Sequence, residues 1–334
     1  MRREQVGRAL RRSWPWLRIV IAVGLLAILA WRVGTGAFVD GLKSLSVPAI
    51  LAALGIGVVT TVFSAWRWRV VAHRLELDLT MRRAVADYYR ALFLNVVLPT
   101  GVLGDVQRAV RHGQTSGDVG RGVRAVVLER AGGQIVLFAL CVALLLVQPS
   151  IASAVVRDVA TSPVVAILVG LLIAAVVVAV LWGRRRSWWG TVSADVRTGL
   201  LARNAWPAVV LLSAVVLAGH LALFWVAART AGVTAPVTHL ITPVVLTLLA
   251  SGLPVNIGGW GPRESVSVLA FQVAGLGATQ GLTVAVVYGV LTFAGSLPGA
   301  VVLLVRMWQG RRSRPKVELE EGVVVERETA DRGA

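Results

Sequence analysis

The stretch "NVVLPTGVLGDVQRAV", Asn95 to Val110, begins apolar and uncharged and then meets a proline, two glycines, an aspartate and an arginine. A helix crossing hydrocarbon gains nothing from those residues, because a proline and charges inside it cost free energy. A soluble loop has little use for the apolar run before them. The stretch therefore reads as helix that enters an apolar phase, breaks and turns back.

The rest of the chain supplies the apolar phase. Hydrophobic residues make up 56% of the 334 positions, the mean hydropathy is +0.75, and charged residues are only 15%. Soluble domains run at about 45–50% apolar and about 25% charged. The excess, together with long uncharged runs, marks an integral membrane protein. Net charge is +17. The arginines are clustered between the apolar runs, so they read as topology signals and contacts to anionic headgroups, and no nucleic-acid partner is expected. One cysteine, Cys141, and four scattered histidines offer neither an internal disulfide nor a zinc cluster, and no cofactor or metal is expected.

Six runs have the roughly 20 apolar residues that a spanning helix needs: about Trp16–Val33, Pro48–Ala65, Val123–Gln148, Pro163–Gly183, Trp206–Ala228 and Leu282–Val305. The first follows a basic stretch, residues 1–15, but no convincing cleavage site comes after it, so it reads as an uncleaved span. Two other runs are shorter and interrupted: Val85–Leu103, and Thr238–Pro254 continued by Ser265–Leu276. Arginine is dense at the N-terminus, after the second span, before the third, after the fourth and at the C-terminus. The positive-inside rule then puts both termini in the cytoplasm of a multi-pass cell-membrane protein. Basic segments flank Val85–Leu103 on both sides, so it should enter from the cytoplasm and return. The second interrupted region should do the same from outside. The expected fold is all-α and polytopic: six full transmembrane helices plus two re-entrant hairpins. Eight full spans, with the second region crossing twice, satisfies the same charge pattern. Residues 16–306 form the transmembrane domain, with halves about 16–148 and 163–305. Arg184–Arg203, with Trp188 and Trp189, suits an interfacial helix, and the polar tail 307–334 is expected to be disordered.

The two broken regions resemble each other. "LPTGVLGDVQR" (Leu98–Arg108) and "LPVNIGGWGPR" (Leu253–Arg263) share Leu, Pro, Gly and Arg at matched positions. Each follows two full spans and precedes one, and they start from opposite sides, which is the pattern of an inverted repeat. Pro99, Gly101, Gly104, Pro254, Gly258, Gly259 and Gly261 are the expected helix-breaking residues.

Charges in lipid pair or face a cavity. The candidates for holding a lipid headgroup are Arg67, Asn95, Asp105, Arg108, Glu129, Arg130, Arg263 and Glu264. Arg108 and Arg263 are the expected phosphate ligands, with Asp105, Glu129 and Glu264 orienting them. Arg67 or Arg69, at the exit of the second span, could touch a lipid phosphate, and His220 reads as a helix–helix hydrogen bond. No nucleophile–base pair, P-loop or catalytic constellation is visible.

At these motifs the chain resembles the transmembrane, flippase-like region of lysylphosphatidylglycerol synthases. The likeness is carried by Trp66-Arg67, by Asn95, Leu98, Pro99, Gly104, Asp105 and Arg108, by Glu129-Arg130, and by Leu253, Pro254, Gly259, Gly261, Arg263 and Glu264. The family commonly shows Gly-Gly-Asp where this chain has Leu103-Gly104-Asp105, a departure that bears on the backbone of the first hairpin. The resemblance implies a stand-alone member without the aminoacyl-transferase domain, so lipid aminoacylation by this chain alone is not expected. It implies movement of an anionic or isoprenoid-linked lipid between leaflets. The other reading is an accessory subunit or lipid-dependent transferase in envelope synthesis, working with an envelope-biosynthesis enzyme.

Overall fold

The computed structural model describes residues 36–98, 101–161, 188–252 and 261–312, and among them every regular element is a helix. In chain order these are α1 (Gly36–Lys43), α2 (Val47–Arg74), α3 (Met81–Val97), α4 (Leu103–Thr115), α5 (Val119–Val147) and α6 (Pro149–Thr161), then α7 (Trp188–Gly199), α8 (Trp206–Thr230), α9 (Val237–Ser251), α10 (Pro262–Val273), α11 (Ala278–Ser296) and α12 (Pro298–Arg312). Among the described residues four stretches are long and apolar enough to cross a membrane: α2, α5, α8, and Ala278–Arg306 across α11 and α12. They correspond to four of the six expected spans. The other two, Trp16–Val33 and Pro163–Gly183, lie outside the described residues, as do Pro99, Pro254, Gly258, Gly259 and the tail beyond Arg312.

The long helices are inside-out by the standards of a soluble core. On α5, Val123, Val127, Ile135, Phe138, Val142 and Leu146 are all exposed. Their spacing of three, four or multiples of four residues draws one apolar stripe along the helix. A stripe of that length is costly in water and is what lipid-facing helix requires. This is a membrane protein.

The last apolar run, expected as one span, is two helices meeting at Leu297. Pro298 has no N–H to continue the ladder, and the chain re-enters helix with proline in the first turn, where the missing donor costs nothing. Expected run Val85–Leu103 likewise resolves into α3, which starts earlier at Met81, and the first residue of α4. Within the basic Arg184–Arg203 segment the described helix is α7, tied to α5 by an Arg124–Asp195 ion pair.

Packing relations come in matched sets. α2 lies along α8. α3 packs on α4 and α4 on α5; α9 packs on α10 and α10 on α11. α5 reaches across to α9, and α11 reaches across to α3. Among the described residues there are two apolar cores. One gathers Trp68, Val71, Leu77 and Ala125 around the end of α2. The other gathers Phe224, Val245, Phe271 and Leu291 around the end of α8.

Candidate functional site

α3 and α4 are joined by a short break, and the first question is what lets them lie so close. A Cβ on Gly104 would overlap the Ala91 carbonyl, so only glycine permits this approach. The Gly104 N–H, free at the start of α4, donates to Asn95 Oδ1 at 2.8 Å. Asn95 Nδ2 in turn donates to Asp105 Oδ2 at 2.9 Å. One asparagine thus clamps the end of α3 to the start of α4 and aims Asp105. Gly101, with φ +63°, supplies the left-handed turn between them.

From Asp105 a chain of ion pairs runs inward. Asp105 Oδ1 accepts from Arg108 at 2.9 Å, and its Oδ2 accepts from Arg130 at 2.6 Å. Arg108 also donates to Glu129 Oε2 at 3.0 Å. Glu129 Oε1 accepts from Arg67 twice, from Nε at 3.1 Å and from Nη2 at 2.6 Å. Arg67 ends the chain by donating from Nη1 to Ser213 Oγ on α8 at 2.9 Å. The order is Arg67, Glu129, Arg108, Asp105, Arg130, with signs alternating and cations at both ends. Four helices, α2, α4, α5 and α8, are tied through it. Gly133 makes room for the inner end, since a Cβ there would come within 2.8 Å of the Arg67 guanidinium.

Exposure changes steeply along this chain. The side chains of Glu129 and Arg108 are 0% exposed, while that of Arg130 is 43% exposed. Buried charge is tolerated only when paired and hydrogen-bonded. Arg108 Nε and Nη1 have no hydrogen-bond acceptor among the described residues, and its guanidinium lies against aromatic faces instead, the carbon 4.5 Å from the Trp68 ring centre and 4.3 Å from that of Tyr88. The Tyr88 hydroxyl also donates to Glu129 Oε1 at 3.3 Å.

A second charged site lies at α10. Gly261, at φ +122°, precedes the helix, and its N–H donates to Glu264 Oε2 at 2.6 Å. Arg263 binds the other carboxylate oxygen of Glu264 through Nε at 2.9 Å and through Nη2. The Arg263 guanidinium sits 5.4 Å from the Tyr288 ring centre, and both charged residues are buried. Tyr288 Oη pairs with His220 Nδ1 at 3.2 Å. His220 on α8 is within electrostatic reach of Arg67 and Arg130, so it stands between the two charged sites.

The model of the lysylphosphatidylglycerol synthase TM region family matches residues 16–299. The chain belongs to this family. No curated protein and no solved structure matches it.

In this member of the lysylphosphatidylglycerol synthase TM region family, six of the eight expected headgroup residues, Arg67, Asn95, Asp105, Arg108, Glu129 and Arg130, form one connected network. Arg263 and Glu264 form another. Arg67 does not reach outward: it is 5% exposed and committed to Glu129 and Ser213, while Arg69 donates to the Leu79 carbonyl at 3.1 Å. The exposed aromatic at this exit is Trp66. Gly104 lies inside α4 rather than in the break, and its role is close approach. Leu103, where the family commonly has glycine, is the first residue of α4 and 42% exposed. Its backbone does not take positive φ, so no glycine is needed there.

Tyr88, Trp68, Ser213 and Tyr288 were not among the expected site residues. A signal existed for two of them. The chain has only three tyrosines, and two of them, Tyr88 and Tyr288, lie beneath site arginines.

Proposed function

We propose that this protein moves an anionic or isoprenoid-linked lipid between the two leaflets of the cell membrane. The observation that carries the reading is the alternating chain from Arg67 to Arg130. It has three cations and two anions, it is sealed at the Arg67 end, and it is open at Arg130. A phosphate oxyanion arriving at the open end can take the place of Asp105 on Arg130, because both are acceptors for the same guanidinium donors. Asp105 then remains paired with Arg108 and Asn95, so no charge is stranded in hydrocarbon at any stage.

The matched packing of α2–α5 and α8–α11 supports an inverted repeat, with α3–α4 and α9–α10 as re-entrant hairpins entering from opposite faces. In this arrangement the Arg263–Glu264 pair serves the opposite leaflet, and His220 with Tyr288 lies on the route between them. Both termini face the cytoplasm, in keeping with the arginine-rich connections.

The test is lipid movement in liposomes holding the purified full chain. The probes are a fluorescent phosphatidylglycerol and a fluorescent polyprenyl phosphate, with a membrane-impermeant quencher as readout. Wild type should accelerate at least one probe, and Arg263→Ala and Arg130→Gln should each slow it roughly tenfold or more. Background rates for both probes in wild type, or equal rates in all three proteins, reject the proposal.

A further inference from the structure

A different set of charges lies at the foot of the α3–α4 hairpin, away from the Arg67–Arg130 chain. Asp87 and Arg90, three residues apart on α3, share one helix face and are 3% and 4% exposed. The Asp87 carboxylate is already divided. Arg306 on α12 donates to its Oδ1, and Arg83 approaches its Oδ2 at 3.6 Å. Arg83 is also engaged with Thr115 on α4 at 2.8 Å. The Arg90 side chain, by contrast, is almost wholly covered, yet its guanidinium has no hydrogen-bond acceptor among the described residues and keeps a narrow access to solvent, and the charges reaching it are those of Asp87, Arg111 and Arg306.

Two arginines, Arg306 and Arg83, thus share the Asp87 carboxylate, while Arg90 beside it also feels the charge of Arg111. A guanidinium largely withdrawn from water without a protein acceptor is unfavourable, and repulsion from two neighbouring cations adds to the cost. An anion with several acceptor oxygens removes both penalties at once, and phosphate is the group that arginine forks match best. Position narrows the choice. Arg306 closes the apolar stretch Ala278–Arg306, which sets it at the depth of the headgroups, while Arg111 is exposed one helix away. The gradient runs from exposed Arg111 through Arg306 to buried Arg90, so an anion can enter from the surface.

We infer that Arg90, Arg111 and Arg306 form a binding site for a phosphate group at the basic end of the bundle. The site stands whether or not lipid crosses the membrane, since none of its groups belongs to the ion-pair chain.

The test is a binding titration on the detergent-purified full chain, read by intrinsic tryptophan fluorescence and by thermal midpoint. The probes are dihexanoyl phosphatidate, inorganic phosphate and, as a net-neutral reference, dihexanoyl phosphatidylcholine. Dihexanoyl phosphatidate should bind wild type, and Arg90→Gln and Arg111→Gln should each weaken it roughly tenfold or more. Arg90→Lys should recover part of the loss. Arg197→Gln, an exposed change on α7, should leave binding unaltered. Arg130→Gln should keep the binding step that Arg90→Gln and Arg111→Gln weaken, whatever it loses at the site that serves lipid movement, and this separates the two. Competition by inorganic phosphate assigns the site to phosphate as such, and failure to compete assigns it to a lipid headgroup. If Arg90→Gln does not fold, the exposed Arg111→Gln carries the test. No binding of either phosphate probe by wild type, or titrations of the folded variants that superimpose on wild type, overturns the inference.

Discussion

Glu129 and Arg108 meet at 3.0 Å with both side chains fully sealed from solvent, on helices α5 and α4, and Glu129 holds Arg67 through its other oxygen. One carboxylate thus pairs with two buried guanidinium groups, and Arg108 shares a second carboxylate, Asp105.

Glu129→Gln keeps the shape and removes that charge. Breaking a buried ion pair by removing one partner costs about 3–5 kcal/mol. The thermal midpoint in detergent should fall on the order of ten degrees. A midpoint within a degree or two of wild type would mean that the pairing contributes little.

Two glycine substitutions should have opposite signs. Gly104→Ala drives a methyl group into the Ala91 carbonyl and parts the Asn95 clamp, an overpacking change of about 1–3 kcal/mol. Gly55→Ala, on an open face of α2 with nothing near its added Cβ, should stabilise by about 0.5–1 kcal/mol through helix propensity. Denaturant unfolding of both variants gives the comparison, and like-signed changes would refute the close-approach argument.

Tyr88 has two functions that substitution can separate. Tyr88→Phe keeps the ring under Arg108 and loses only the hydroxyl bond to Glu129, for about 1 kcal/mol. Tyr88→Leu loses the aromatic face as well and should cost about 1–2 kcal/mol more. Equal stabilities of the two variants would show that the ring face does not hold the arginine.

Asp118 begins α5, where its side chain accepts from the Arg121 N–H at 2.8 Å. That bond holds its carboxyl below the usual range, with smaller help from the charges of Arg121 and Arg124. A depressed folded-state pKa stabilises the fold above the unfolded value, about 3.9, and this contribution fades as pH falls through the lower folded value. Asp118→Asn still caps the helix but does not titrate, so its thermal midpoint should fall less than that of wild type on going from pH 5 to pH 3. Parallel curves would rule out this source of acid sensitivity.

Much of the fold was legible because hydrocarbon imposes simple demands. Uncharged runs near twenty residues gave α5 and α8 within a few positions and the start of α2, whose helix runs on nine residues past the expected end at Ala65, and the break after Leu98 followed from proline, glycine and charge in one stretch. That Glu129-Arg130 would be ion-paired was legible because a charged pair two turns into an apolar helix has to find partners. The partners themselves were not. Ser213 is an ordinary serine in an apolar helix, and only the packing of α2 against α8 brings it to Arg67. Arg90 was hidden for a related reason: it lies inside a run read as apolar, and its environment is set by α12, more than two hundred residues later. The inward direction of Arg67 was not legible either: Trp66 takes the exposed position at the helix exit, and Arg67 points to Glu129 and Ser213.

The bond between Arg67 and Glu129 also sets a schedule for biogenesis. The two residues are 62 positions apart, on different membrane helices. At about 5–20 residues per second of synthesis, α5 follows α2 by several seconds. During that interval Arg67 lacks its counter-ion. The nascent helix must wait, held at the insertion machinery or with its arginine at the bilayer surface, until Glu129 arrives to release it into lipid.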